Sequence, residues 1–158
     1  MATLHLMVGL PCSGKTTLAR DLETKYSALR LTPDEWHTRL GHDYGYNMTE
    51  AEEAIHNARH DDVESLMWDI AARVLVLGVD VILDFGFWSR SERDVFRSRA
   101  KELGVDFKIH FNDISHEELL KRLRTRNAKK PVDTFVIPEA KLKEWIQIFE
   151  PPSSKEME

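Results

Sequence analysis

The sequence predicts an α/β fold in which a small parallel sheet lies between helices on both of its faces. Four apolar runs with the length of buried strands alternate with longer segments of helical periodicity. The first run, residues 4–8, leads through a glycine-containing loop directly into a helical pattern. The length of 158 residues suits a single domain, expected to span residues 1–150, and residues 151–158 are expected to form a flexible tail.

Composition restricts the class of protein. The single cysteine, Cys12, excludes an internal disulfide and favours a reducing compartment, so we expect a cytoplasmic location. No apolar run reaches the roughly 18 residues of a membrane span, and the first strand begins too early to leave room for a signal peptide. The net charge of −5 argues against a large nucleic-acid surface.

The loop after the first strand has the most specific motif. Residues 9–16 match the pattern G-x-x-x-x-G-K-[ST] in full. Glycines let the backbone approach a phosphate closely, and the loop N–H groups and the following helix N-terminus attract anions. Lys15 is expected to contact the β- and γ-phosphates, and Thr16 to offer its hydroxyl to Mg²⁺. The predicted nucleotide-binding residues are Gly9, Pro11, Cys12, Ser13, Gly14, Lys15, Thr16 and Thr17.

Periodicity and capping residues assign the next elements. A helix is predicted over residues 15–25 and a second strand over residues 28–31. Thr32 suits the N-cap of a short helix that includes residues 34–39. A capping box at residues 49–52 precedes a long helix, and its predicted core-facing stripe consists of Val63, Leu66, Met67, Ile70, Val74 and Leu77.

Two histidines on this long helix, His56 and His60, are four residues apart. Such a pair can bind a metal ion, but no third ligand is suggested nearby. We therefore interpret both as exposed residues of the helix surface.

The second half of the chain repeats the alternation. A third strand over residues 79–83 ends in Asp84, and Ser89 or Ser91 is expected to cap the next helix. A fourth strand is predicted over residues 105–111. It is followed by a helix with an arginine-rich end and by a last helix that begins at Pro138. Ligands of such sheets bind beyond the carboxyl ends of the strands, where the glycine loop, Asp34 and Asp84 lie.

These segments resemble the P-loop kinases of the polynucleotide-kinase-like group, which is similar to zeta toxins and chloramphenicol phosphotransferase. The likeness rests on residues 9–16, Asp34, Asp84, residues 89–93 and the arginines within residues 122–126. It implies a three-layer P-loop NTPase fold of the AAA-type ATP-binding family. The sheet would have about four strands in the order 2-3-1-4, with an arginine-bearing lid.

The resemblance also implies roles for individual residues. Asp34 would accept the proton of an acceptor hydroxyl, although Asp also favours the first turn of a helix for electrostatic reasons. Asp84 would reach Mg²⁺ beside Thr16, or else bind the acceptor or cap a turn. Arg122 and Arg126 share one side of their helix and would contact the phosphates, unless they form only an exposed basic helix end.

The function expected from these features is an ATP-dependent kinase, with Mg²⁺, that acts on a hydroxyl of an unidentified and preferably small acceptor. The alternatives are a 5′-hydroxyl polynucleotide kinase and a nucleotide-binding regulatory module without transferase activity. Polynucleotide kinases have an arginine near the position of His37, so a nucleic-acid acceptor is not favoured. Aromatic residues either line a small-molecule pocket or belong to the core, namely Trp36, Tyr44, Tyr46, Phe87 and Trp88.

Overall fold

The computed structural model describes residues 1–42, 48–129 and 136–158. Tyr44, Tyr46 and the end of the arginine-rich stretch at Lys130 lie outside the described residues. The elements in chain order are β1 Thr3–Val8, α1 Lys15–Tyr26, β2 Leu29–Leu31, α2 Pro33–Arg39, α3 Glu50–Val76, β3 Val81–Gly86, α4 Arg90–Leu103, β4 Asp106–Phe111, α5 His116–Lys129 and α6 Glu139–Ile148. None of the described helices is long and apolar enough to cross a membrane.

The sheet has the strand order β2-β3-β1-β4, and all of its pairings are parallel, which confirms the predicted fold class. Central strand β1 is buried on both faces, as expected when helices cover both sides of a parallel sheet. Leu4 and Leu6 belong to the cluster that includes residues of α3 and α4. Met7, which alternates with them, packs in a second cluster with Ala19 and Leu22 of α1.

The predicted stripe of α3 is correct at Val63, Met67 and the partly buried Val74, and wrong at its other three residues. Leu66 is 56% exposed, and Ile70 and Leu77 are also exposed. The residues of α3 that are buried in the core are Val63, Met67, Ala71 and Leu75. The helix therefore turns the row that contains the small side chain of Ala71 towards the sheet, where a short side chain permits close approach of helix and strands.

Two details at the strand ends also differ from the predictions and bear on the site. Strand β3 continues two residues beyond Asp84, so Asp84 lies inside the strand instead of following it. Thr32 is at the N-cap position of α2, but its hydroxyl makes no capping bond. It donates to Asp84 Oδ2 at 3.1 Å instead, because the end of β2 lies beside β3.

The last residues of the chain do not form the loose tail that the sequence predicts. Glu156 is 7% exposed, and its carboxylate accepts hydrogen bonds from Arg93 Nε at 2.9 Å and from the backbone N–H of Ser153 at 2.8 Å. Arg97 of α4 donates to the carbonyl of Glu156 at 2.7 Å. The buried guanidinium of Arg93 requires a counter-ion, and Glu156 supplies it.

Candidate active site

The glycine loop connects β1 to α1 and has the backbone geometry that its sequence requires. A Cβ at Gly9 would lie 2.5 Å from Ser13 Oγ, so only glycine fits where the loop folds back on itself. Gly14, at the N-cap of α1, has a φ of +84°, a conformation that side chains rarely adopt. The Ser13 hydroxyl is buried and has no hydrogen-bond partner among the described residues. This polar, close-fitting cradle suits the oxygens of a phosphate group.

Asp84 is the centre of a buried polar network beside this loop. It is 2% exposed, and its carboxylate accepts hydrogen bonds from Thr16 Oγ1 at 2.7 Å and from Lys15 Nζ at 3.3 Å. The adjacent end of β2 contributes a further bond, from Thr32. A buried carboxylate next to a hydroxyl at a helix N-terminus presents the hard oxygen atoms that Mg²⁺ prefers. Thr16 and Asp84 therefore fit the metal role expected of them, and that role stays a prediction.

The arginines of α5 divide between two sides of the helix. Arg122 donates to the carbonyl of Cys12 at 3.4 Å and to Glu118 at 3.1 Å, and Arg126 lies 3.7 Å from Cys12 Sγ. Arg124 instead donates to Glu139 of α6 at 2.6 Å. The structure thus brings the first two guanidinium groups to the phosphate loop and directs the third away from it.

A cavity of about 490 Å³ opens beside the loop, and both Lys15 and Asp34 line it. Asp34 is exposed in the first turn of α2, which starts where β2 ends. The two residues enter the cavity from different strand ends because β3 separates β2 from β1 in the sheet. Its volume lies within the roughly 300–1,000 Å³ typical of small-molecule sites.

A cluster of histidines at this cavity could not be recognised from the sequence. His37 is 1% exposed, and its ring nitrogens lie 3.1 Å from His60 Nδ1 and from His42 Nδ1. Burial, and secondly the neighbouring rings, lower the pKa of His37 to about 4. His37, His56 and His60 all line the cavity. The four-residue spacing indicates that His56 and His60 share a helix face. It does not indicate that this face packs against α2, which only the tertiary structure shows.

The interpretation of His56 and His60 as exposed is wrong, because both are half-buried against α2. His60 also pairs with Glu64 at 3.5 Å, and this hydrogen bond raises the pKa of His60. Burial lowers the pKa of His56. Among the described residues, no group of three or more histidine, cysteine or acidic side chains is arranged to hold a metal ion.

Aromatic residues at the end of β3 and just after it line part of the cavity. Trp88 Nε1 donates to the carbonyl of Gly9 at 3.2 Å, and the ring centroids of Trp88 and Trp145 are 5.4 Å apart. Phe87 has a φ of +44°, and Arg93 donates to its carbonyl at 2.8 Å. Phe87 and Trp88 line the cavity, but Phe87 is also a buried member of the main core, and Trp36 packs against that core.

The strand order, the glycine loop and the Thr16–Asp84 pair define the fold as that of the P-loop NTPases. A family model described as an AAA domain, AAA_33, matches residues 4–152. The chain therefore belongs to this AAA domain family. No curated protein matches the sequence significantly.

Several solved structures share the fold at low sequence identity. A candidate kinase from Chloroflexus aurantiacus is 19% identical with a TM-score of 0.71, and the match covers 91% of this chain and 74% of that one. Kti12 from Chaetomium thermophilum, solved with ADP-AlF3, is 20% identical with a TM-score of 0.70 and coverages of 96% and 82%. A chain of the Pnkp1/Rnl/Hen1 RNA repair complex is 23% identical with a TM-score of 0.68. That match covers 92% of this chain but only 43% of the other. The predicted resemblance to P-loop kinases is thus confirmed at the level of the fold.

Proposed function

We propose that this protein is an ATP-dependent kinase that transfers the γ-phosphate to a hydroxyl group of a small molecule. The observation that supports this most directly is that Lys15 and Asp34 line the same cavity from different strand ends. Phosphoryl transfer to an alcohol requires a cation that holds the transferred phosphate and a carboxylate that accepts the hydroxyl proton. The two residues supply these groups on the phosphate side and the acceptor side of one space.

Each residue then has a defined task. The N–H groups of the loop and Lys15 hold the β- and γ-phosphates. Asp34 takes the proton of the acceptor hydroxyl as its oxygen bonds to phosphorus and the bond to ADP breaks. Arg126 and Arg122 neutralise the charge that grows on the transferred group, a contribution worth on the order of 10³-fold in rate. Their contacts with Cys12 support this role because they place both side chains at the loop.

Mg²⁺ fits the same site. Thr16 Oγ1 and the Asp84 carboxylate, 2.7 Å apart, are the oxygen groups that would hold it beside the phosphates. When bound, the ion neutralises phosphate charge and orients the nucleotide.

The nature of the acceptor distinguishes two kinase proposals. The likeness to a chain of an RNA repair complex favours a 5′-hydroxyl end of nucleic acid. Two features of the site favour a small molecule. His37, at the position expected for a nucleic-acid-binding arginine, is buried and hydrogen-bonded to other histidines. The cavity also has the size of a small-molecule site.

The experiment that tests the proposal replaces Asp34 with Asn, which keeps the size of the side chain and removes the proton acceptor. Asp34→Asn should bind Mg·ATP with nearly the parent affinity, because the phosphate loop is a separate segment. Acceptor-dependent ADP release, measured over a library of hydroxyl compounds, should fall by about 10²-fold or more.

The matched control is Asp62→Asn, an exposed residue of α3 that does not line the cavity. It should retain the parent rate. Transfer by Asp34→Asn at the parent rate would eliminate Asp34 as the base. Joint loss of ATP binding and thermal stability in that variant would make Asp34 a structural residue of α2.

A further inference from the structure

The cavity has two parts of opposite charge. Lys15 and Arg126 are the lysine and arginine side chains among the described residues that line it, and both belong to the phosphate side. Four carboxylates line the remainder, from α2, α3 and α4, namely Asp34, Asp61, Glu64 and Glu92. A nucleotide bound at the loop would use the two cations, so the acceptor side would keep an excess of negative charge.

The surroundings of Glu92 show that like charges lie close together in this part of the cavity. Burial first, and then the charge of Glu64, raise the pKa of Glu92 above its ordinary value, although the charges of His60 and Arg93 act in the opposite direction. His60 pairs with Glu64 but leaves Glu92 half-buried close to a like charge. Arg93, the next residue, has its guanidinium hydrogen-bonded to Glu156 and to a backbone carbonyl. A positive charge from outside the protein would therefore be stabilised between these carboxylates.

Aromatic rings of the same cavity add a second, independent feature. Phe85 and Phe87 stack with their centroids 5.2 Å apart, and Trp88 and Trp145 contact each other at 5.4 Å. All four rings line the cavity. Aromatic faces attract ammonium groups, most strongly where water is excluded. A cavity lined by both aromatic rings and carboxylates is therefore suited to an organic cation.

A third feature concerns neutral hydrogen bonding. Nδ1 of His56 is buried and has no hydrogen-bond partner among the described residues, although His56 lines the cavity. Burial lowers the pKa of His56, which favours the uncharged ring. An uncharged imidazole can accept or donate a hydrogen bond to a hydroxyl group.

We propose that the acceptor side of the cavity binds a hydroxyl-bearing compound that also has a positive charge, such as an amino sugar or an amino alcohol. That the bound compound is the phosphate acceptor rests on the proposed kinase function. That its charge is positive rests on the carboxylates and aromatic rings that line the cavity. It excludes anionic acceptors, including nucleic-acid ends and sugar acids, because the four carboxylates would repel them.

The test compares three hexose derivatives of similar size and different charge, namely glucosamine, glucose and gluconate. Dissociation constants are measured by ligand-observed NMR with the whole chain in the presence of Mg²⁺ and AMPPNP. Glucosamine should bind at least about 10-fold more tightly than glucose, and gluconate should bind most weakly. Equal affinities, or tighter binding of glucose or gluconate, would overturn the inference.

Variants then identify the source of the preference. Glu92→Gln should reduce the ratio of glucosamine to glucose affinity at least about threefold, and the exposed Asp61→Asn offers the same test at little risk to folding. Glu102→Gln, an exposed residue of the same helix as Glu92 that does not line the cavity, should leave the ratio unchanged. An unchanged ratio in both cavity variants would refute the role of these carboxylates.

Phosphate transfer separates this inference from the proposed function. Selective binding of glucosamine without transfer to any acceptor would support the cation-binding site and refute the kinase function. Faster transfer to gluconate than to glucosamine would support the kinase function and refute the cation-binding site.

Discussion

Removal of the Glu156 carboxylate should destabilise the protein strongly, although the residue lies in the last few positions of the chain. In Glu156→Ala, the guanidinium of Arg93 would stay 1% exposed and lose both of its bonds to the carboxylate, at 2.9 and 3.4 Å. Truncation of one partner of a buried ion pair costs about 3–5 kcal/mol, because the remaining charge is left without compensation. We expect a loss of that size in the free energy of unfolding.

The measurement is urea unfolding with linear extrapolation, in which the midpoint should fall while the slope stays constant. Glu158→Ala, an exposed glutamate of the same segment, is the matched control and should change stability by less than about 0.5 kcal/mol. The double variant Arg93→Met, Glu156→Leu should recover much of the loss, since it removes both buried charges.

The pH dependence gives an independent check of the same pair. The hydrogen bond from Arg93 holds the pKa of Glu156 below its ordinary value. The stabilisation is therefore present above the pKa of the unfolded state and is lost as pH falls through the lower folded value. The parent and Glu156→Gln should converge in stability at acid pH. A loss below about 1 kcal/mol for Glu156→Ala at pH 7 would refute the argument that this segment is docked.

The remaining predictions concern the site and its titration. Lys15→Ala should abolish nucleotide-dependent activity with the fold intact, because each charge-assisted bond to phosphate is worth about 1.5–3 kcal/mol; parent-like turnover and Mg·ATP binding would contradict the loop assignment. Arg126→Ala should lower kcat more than it weakens ATP binding, and Arg124→Ala should do less; equal effects would indicate nonspecific electrostatics. Burial lowers the pKa of His37 and of His110 to about 4. Between about pH 4 and 6.5 the unfolded chain therefore binds more protons than the folded one. The free energy of unfolding should be highest above about pH 6.5 and should fall as the pH decreases towards about 4. Each histidine should change the free energy of unfolding by up to about 1.4 kcal/mol per pH unit. Urea unfolding over a series of pH values measures this change, and a constant free energy of unfolding would contradict the prediction.

Local patterns were sufficient for the parts of the fold that depend on neighbouring residues. The phosphate loop is a continuous segment, so its glycines, Lys15 and Thr16 could be recognised without any tertiary information. Capping predictions at Thr49 and Ser89 agree with the structure, in which each hydroxyl accepts a bond from an N–H three residues later. The strand order followed from the resemblance to a family.

The errors at His37 and Glu156 have a common physical cause, which is contact between segments distant in the chain. His37 is buried because α2 packs against α3, and neither helix shows this by its own periodicity. Glu156 meets Arg93 across 63 positions of sequence, so neither residue signals the other. The partial error in the stripe of α3 has another cause, because Ala71, a small core residue, has less weight in an apolar pattern than exposed Leu66.

The position of Arg93 joins the end of the chain to the phosphate loop. Its guanidinium holds Glu156 on one side and the carbonyl of Phe87 on the other, and the next residue, Trp88, donates to the carbonyl of Gly9. We therefore expect nucleotide binding and docking of the last residues to be coupled, and such a coupling would act equally in both directions. A ligand that fixes the loop should then also hold the last residues in place, and removal of those residues should weaken nucleotide binding.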